Sequence, residues 1–266
     1  MTLSGLTDEA VSFVATSTGT DTLTLAADTV ADSGTFNIGA SAAGVTITAI
    51  SAANYETLTI NSSGGANTIT TLTANDITSL TVTGSTALTI TNAIASATGL
   101  ATIDASTMTK AVSINASNST GAVTFTGGSG GDTITSGAGN DTLTGGSGND
   151  TIFGQDGDDK IRGGSGDDII YGQGGDDYIY ASDGFDFLSG GDGSDTVSFE
   201  LLSNGILADL VFGAIFTNED TMDEESIANY VVIEFDENKA WYNFEFLVGT
   251  PDNDVIIAAD HTAMEY

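Results

Sequence analysis

From Gly127 to Ser198 the chain repeats every nine residues without a slip in register, and nothing else in it constrains the fold as tightly. Cut from Gly127, the units read GGSGGDTIT, SGAGNDTLT, GGSGNDTIF, GQDGDDKIR, GGSGDDIIY, GQGGDDYIY, ASDGFDFLS and GGDGSDTVS. Position four is always glycine: Gly130, Gly139, Gly148, Gly157, Gly166, Gly175, Gly184 and Gly193. Position six is always aspartate: Asp132, Asp141, Asp150, Asp159, Asp168, Asp177, Asp186 and Asp195. Position eight is always aliphatic: Ile134, Leu143, Ile152, Ile161, Ile170, Ile179, Leu188 and Val197. A unit this short cannot bury its one apolar side chain alone, so the units have to stack.

These residues resemble the RTX, or haemolysin-type calcium-binding, repeat, whose pattern is G-G-x-G-x-D-x-U-x with U apolar. The resemblance covers 72 of 266 residues. It implies an all-β fold, a parallel β-roll with Ca²⁺ in its turns. The chemistry agrees: glycine permits tight turns that aim carbonyl oxygens inward, and the aspartate adds a carboxylate, so each turn offers hard oxygen donors suited to Ca²⁺. One unit supplies a turn and a short strand, and two units make a coil. Residues 18 apart then stack, with Asp132, Asp150, Asp168 and Asp186 on one edge and Asp141, Asp159, Asp177 and Asp195 on the other. The expected ligands are these carboxylates with the turn glycines Gly128, Gly130, Gly137, Gly139, Gly146, Gly148, Gly157, Gly164, Gly166, Gly175, Gly184 and Gly193. Three gaps on each edge give about six ions. Ser136, Gln155 and Gln173 each replace one glycine, a mild change, whereas Ala181-Ser-Asp-Gly184 lacks both leading glycines and weakens the Asp168/Asp186 site. Asp156, Asp158, Asp167 and Asp176 are either outer ligands or simply solvated.

Charge points the same way. Four basic residues, Lys110, Lys160, Arg162 and Lys239, face 37 acids, a net charge of −33. Phosphate recognition needs a basic face, so nucleic acid is excluded as a partner, and anionic membrane surfaces are disfavoured. There is no cysteine, which removes disulfides, thiolate catalysis and Cys-ligated zinc. Apolar runs are too short for a transmembrane helix, so no membrane insertion is expected. The N-terminus lacks a basic n-region and apolar core, so export is expected by a route other than a Sec signal, such as type I secretion.

Residues 1–126 form a Thr/Ala/Ser-rich zone with eight acids, in which short runs such as Thr57-Leu-Thr-Ile60 and Leu80-Thr-Val-Thr83 alternate apolar and polar residues. Period-two alternation reads as many short strands, and their spacing suggests solenoid coils over hairpins, with a sandwich as the alternative. Residues 199–266 lose the repeat and carry Phe212, Phe216, Tyr230, Trp241, Phe244 and Phe246, which are expected to cap the open end of the roll. The run Glu219–Glu225 reads as a solvated loop or helix start. Phe244–Ile256 looks like the segment that restarts repeat blocks in RTX proteins, with a degenerate repeat at 249–257 placing Asp254 and Ile256 at positions six and eight.

No catalytic arrangement emerges. H-E-x-x-H is absent, the single histidine is His261, and the G-x-S-x-G match at Gly127, Ser129 and Gly131 lies inside the glycine-rich repeat without strand-turn-helix context. The chain is expected not to be an enzyme. Residues 1–126 also resemble the Thr/Ala-rich strand repeats of bacterial surface-layer proteins that carry RTX blocks. That resemblance implies an extracellular or cell-surface structural protein that folds with Ca²⁺ and self-associates or attaches to a surface. The alternatives are a secreted adhesin, an ice- or surface-binding module, or the export and folding module of a longer protein.

Overall fold

The computed structural model describes residues 33–39, 42–52, 55–95 and 98–198, apart from the Phe185 side chain, and the backbone of strands on either side. Those flanking strands are Thr2–Ser4, Val11–Ala15, Gly19–Ala26, Leu207–Asp209, Ala214–Thr217, Asn229–Ile233, Phe246–Val248 and Val255–Ile257. The side chains of the C-terminal aromatics, the run 219–225, Asp254 and His261 lie outside the described residues.

The described residues are all-β. From Thr2–Ser4 to Thr196–Ser198 successive strands alternate between two sheets, one of 14 strands and one of 11, and each pairs in parallel with its neighbour two places away, whereas Ala214–Thr217 pairs antiparallel with Leu207–Asp209 and Asn229–Ile233. This is a parallel β-solenoid, and the Thr/Ala-rich zone is part of it rather than a sandwich. Strand Thr57–Ser62 shows the local reason: Leu58, Ile60 and Ser62 point inward while Thr57, Thr59 and Asn61 face outward. β-Branched threonine suits the outer pleat, and the inward aliphatics of successive coils form one continuous core. Fully burying one such side chain is worth about 1.5–3 kcal/mol. All eight position-eight residues, Ile134 through Val197, join that core at no more than 1% exposure.

Coil length changes along the stack. Thr57 pairs with Ser79 and Thr102 with Thr124, a coil of 22 residues. Thr124 pairs with Thr142, and from there to the end of the repeats every coil takes 18. Strand pairs Val112–Asn115 with Thr133–Thr135, and Thr124–Thr126 with Thr142–Ser147, carry both sheets across the compositional change at 126/127. Past the last repeat, Phe185–Asp192 pairs with Asn229–Ile233 and Thr196–Ser198 with Phe246–Val248, so both sheets continue.

Candidate metal centre

The 18-residue coil stacks the position-six aspartates into two columns. On one edge, Oδ1 of Asp132 accepts from the Val112 N–H at 2.7 Å, Asp150 from the Asp132 N–H at 2.6 Å, Asp168 from Asp150 at 2.9 Å and Asp186 from Asp168 at 3.0 Å. On the other, Asp141 accepts from Val123 at 2.7 Å, Asp159 from Asp141 at 2.8 Å, and Asp177 and Asp195 from Asp159 and Asp177 at 2.9 Å. The two columns are those expected from the sequence. All eight carboxylates are buried.

What differs from unit to unit is the second oxygen. Oδ2 of Asp150, Asp159, Asp168 and Asp177 is buried and has no hydrogen-bond partner. In the other three comparable units the position-two N–H closes it: Gly128 donates to Asp132 at 2.9 Å, Gly137 to Asp141 at 3.3 Å and Ser182 to Asp186 at 3.4 Å. The backbone explains the division. Position two is left-handed in units three to six, with φ 117° at Gly146, 75° at Gln155, 119° at Gly164 and 85° at Gln173. It is not left-handed at Gly128, Gly137 or Ser182. A left-handed position two goes with an N–H that does not meet the carboxylate. The two glutamines are therefore not neutral replacements. They hold a glycine-like conformation, stacked in register with their side-chain amides hydrogen-bonded to each other.

Position one is the residue that sequence reasoning missed. A Cβ on Gly145 would lie 2.2 Å from Oδ2 of Asp150 and 2.7 Å from the Gly163 carbonyl oxygen. At Gly154 the corresponding distances are 2.3 Å to Asp159 and 2.6 Å to Gly172, and at Gly172 they are 2.1 Å to Asp177 and 2.6 Å to Gly190. A carboxylate oxygen and the position-one carbonyl of the next coil thus crowd the bare Cα of position one, and only glycine leaves them room. The signal was the leading glycine of six of the eight units, read there only as a turn residue. The predicted glycines lie around the same turns. The position-two carbonyls of Gly128 and Gly146 face Gly146 and Gly164 of the next coil. The position-four carbonyls of Gly139, Gly148, Gly157, Gly166 and Gly175 face Gly157, Gly166, Gly175, Gly184 and Gly193. Gly130 packs on Lys110 and Ala111, and Gly137 on Ser119, where the longer coils begin.

Burial makes these carboxylates reluctant to ionise. Desolvation pushes Asp150, Asp168 and Asp177 up to about 7 and Asp159 to about 8, against backbone hydrogen bonds that pull the other way and with neighbouring carboxylates adding to the rise. Asp186 rises to about 6, and Asp132 and Asp141 also rise by burial. A divalent cation would reverse the balance by compensating the charge in place.

The donor set fits Ca²⁺. Among the described residues no three acidic or histidine side chains converge, so a cation would draw on an unpartnered carboxylate oxygen and backbone carbonyls, hard oxygens in a flexible turn. Position five plays a different part. Oδ1 of exposed Asp158 accepts from the Asp176 N–H, and that of Asp176 from the Ser194 N–H, both at 2.9 Å. Exposed Asp167 donates its own N–H to Asn149 at 3.1 Å.

No curated protein matches the chain. The family model of the RTX calcium-binding nonapeptide repeat matches in four overlapping copies, at residues 126–161, 144–179, 153–188 and 171–201. Such repeats bind calcium, and their matches span the coils that carry the two aspartate columns. The chain therefore carries a block of RTX calcium-binding nonapeptide repeats, folded as a parallel β-roll.

Proposed function

We propose that this is an extracellular structural protein whose β-roll is locked by Ca²⁺ and which builds a surface assembly of the surface-layer kind. The observation that carries the reading is the set of four buried, unpartnered carboxylate oxygens on Asp150, Asp159, Asp168 and Asp177. Its ligands are the position-six aspartates with the turn glycines, and calcium neutralises a chain of net charge −33 where its acids are most crowded. The continuous two-sheet stack from the Thr/Ala-rich coils into the repeats supports a rod-like structural role, and nothing in the site arranges a nucleophile or general acid against a substrate cleft. Export by type I secretion accords with RTX repeats. Electron microscopy of the full chain in millimolar Ca²⁺ and in chelator tests the assembly. Ordered sheets in calcium alone are expected, and dispersed particles in both conditions would overturn it.

A second reading, an adhesin or ice- or surface-binding module, draws on one observation. On the outer face of the 11-stranded sheet, exposed Thr57, Thr102, Thr124 and Thr142 stand in one register column with Ser79. Binding of the folded chain to ice or to a glycan surface without lattice formation would favour it.

A further inference from the structure

The outward face of the 11-stranded sheet is a threonine face up to Thr142 and Thr144, and two strands of the roll break that rule. Thr142 stands in register with Lys160, Tyr178 and Thr196, and Thr144 with Arg162 and Tyr180. Units four and six thus replace the hydroxyl pair with two bases and two tyrosines. Lys160 and Arg162 are half of the four basic residues on a chain of net charge −33. Both are exposed, and among the described residues neither forms an ion pair. The half-buried Tyr178 and Tyr180 beside them have ring centroids 4.8 Å apart. Arginine and tyrosine are the side chains that most often carry protein–protein contacts, since each joins a broad contact area to a polar end.

We propose that this basic and aromatic patch is the surface on which a second copy of the chain docks, through the exposed acids of its turns. The inference deepens the assembly reading above and rests on it. The turns that lead into this sheet leave Asp156, Asp158, Asp176 and Asp192 exposed. Asp158 and Asp176 each hold one carboxylate oxygen on an N–H of the next coil at 2.9 Å, which fixes the group at the surface. On the calcium reading the metal takes the buried position-six carboxylates and leaves these exposed ones charged. Net charge does not forbid the contact. At 0.15 M salt the Debye length is about 8 Å, so distant acids of two copies are screened from one another while groups in contact are not. The charge met at the contact then decides, and two unpaired cations attract a neighbour's carboxylates where the rest of this acidic surface repels them.

The test is the self-association constant of the full chain in millimolar Ca²⁺, read by sedimentation velocity, with circular dichroism confirming that each variant folds. Lys160→Thr combined with Arg162→Thr restores the threonine face and is expected to weaken association about tenfold or more. Lys110→Glu makes the same change in net charge at an exposed site on a longer coil, and is expected to leave association unchanged. Asp158→Asn combined with Asp176→Asn keeps both Oδ1 acceptors but removes two charges. It is expected to weaken association even though it lowers the net repulsion between copies. Unchanged association in the Lys160/Arg162 variant, or stronger association in the Asp158/Asp176 variant, would overturn the proposal while leaving calcium-driven assembly standing. So would polygalacturonate binding that the Lys160/Arg162 variant loses while it associates like wild type, which would make the patch a site for acidic glycans. A wild-type chain that stays monomeric in calcium would instead overturn the assembly reading itself.

Discussion

The N–H of Asp132 donates to Oδ1 of Asp150, one coil further along the chain, at 2.6 Å. Position six thus reaches back toward the preceding coil. Position five reaches forward, as Asp158 does in accepting from the Asp176 N–H at 2.9 Å. In the turns of Asp158 and Asp176 adjacent residues therefore tie the coil to both neighbours, one through a buried carboxylate and the other through an exposed one.

The buried ladder makes Asp150→Ala a double lesion. It removes the orphan Oδ2 of unit three, and it leaves the Asp132 N–H buried without an acceptor, a cost of about 1–3 kcal/mol. The variant is expected to lose the unit-three ion, while the opposite column of Asp159 and Asp177 keeps its ions. Anomalous calcium peaks in crystals check this. Loss from the Asp159 column with retention at Asp168 would mean that neighbours in sequence, rather than residues 18 apart, share the metal.

Without metal the fold should respond to pH in the direction set by the raised aspartates. Asp150, Asp168 and Asp177 at about 7 and Asp159 at about 8 hold their protons in the folded chain well above the ordinary unfolded value of about 3.9. A raised pKa contributes stability that is full below the unfolded value and lost as pH rises through the folded one. In chelator, the far-UV β-signal of the repeat block is therefore expected to be better retained at pH 5.5 than at pH 8. Calcium affinity should move oppositely, rising over the same window as the ion displaces these protons.

Much of this was legible in the sequence, and for physical reasons. The fixed aspartate and aliphatic positions stated the 18-residue coil, the two columns and the inward Ile152 and Ile161, because a strict repeat leaves a stacking chain few alternatives. The period-two runs around Leu58 and Leu80 stated the many short strands of the Thr/Ala-rich zone and pointed to a solenoid, with a sandwich left open. Two features were not legible. The crowding of Asp150 Oδ2 and the Gly163 carbonyl against Gly145 exists only once the coils have stacked. The left-handed φ of Gln155 and Gln173 runs against what a non-glycine residue ordinarily adopts, so the letters alone argue the other way.

Those glutamines give a separate test. A β-branched side chain tolerates the left-handed region worst, so Gln173→Val is expected to destabilise the calcium-loaded protein by about 1–3 kcal/mol. Gln173→Gly keeps the conformation and loses only the amide contact to Gln155, so its midpoint in thermal unfolding should stay close to wild type. A tolerated valine would mean that position two does not need its left-handed turn.

Ion selectivity follows from the carbonyl-rich turns. Mg²⁺ demands near-octahedral geometry at about 2.0–2.1 Å and gives up water reluctantly. Millimolar Mg²⁺ should leave calcium binding by calorimetry within about threefold of its magnesium-free affinity. Full competition at equal concentration would indicate charge screening instead of a shaped site.

The most direct measure of the central claim is far-UV circular dichroism of the full chain during a Ca²⁺ titration from excess chelator at pH 7.5. Buried carboxylates stacked about 5 Å apart cannot all ionise without a cation. The β-signal of the repeat block should therefore appear cooperatively as calcium is added and vanish when chelator is restored. A spectrum identical in chelator and in calcium would contradict the account.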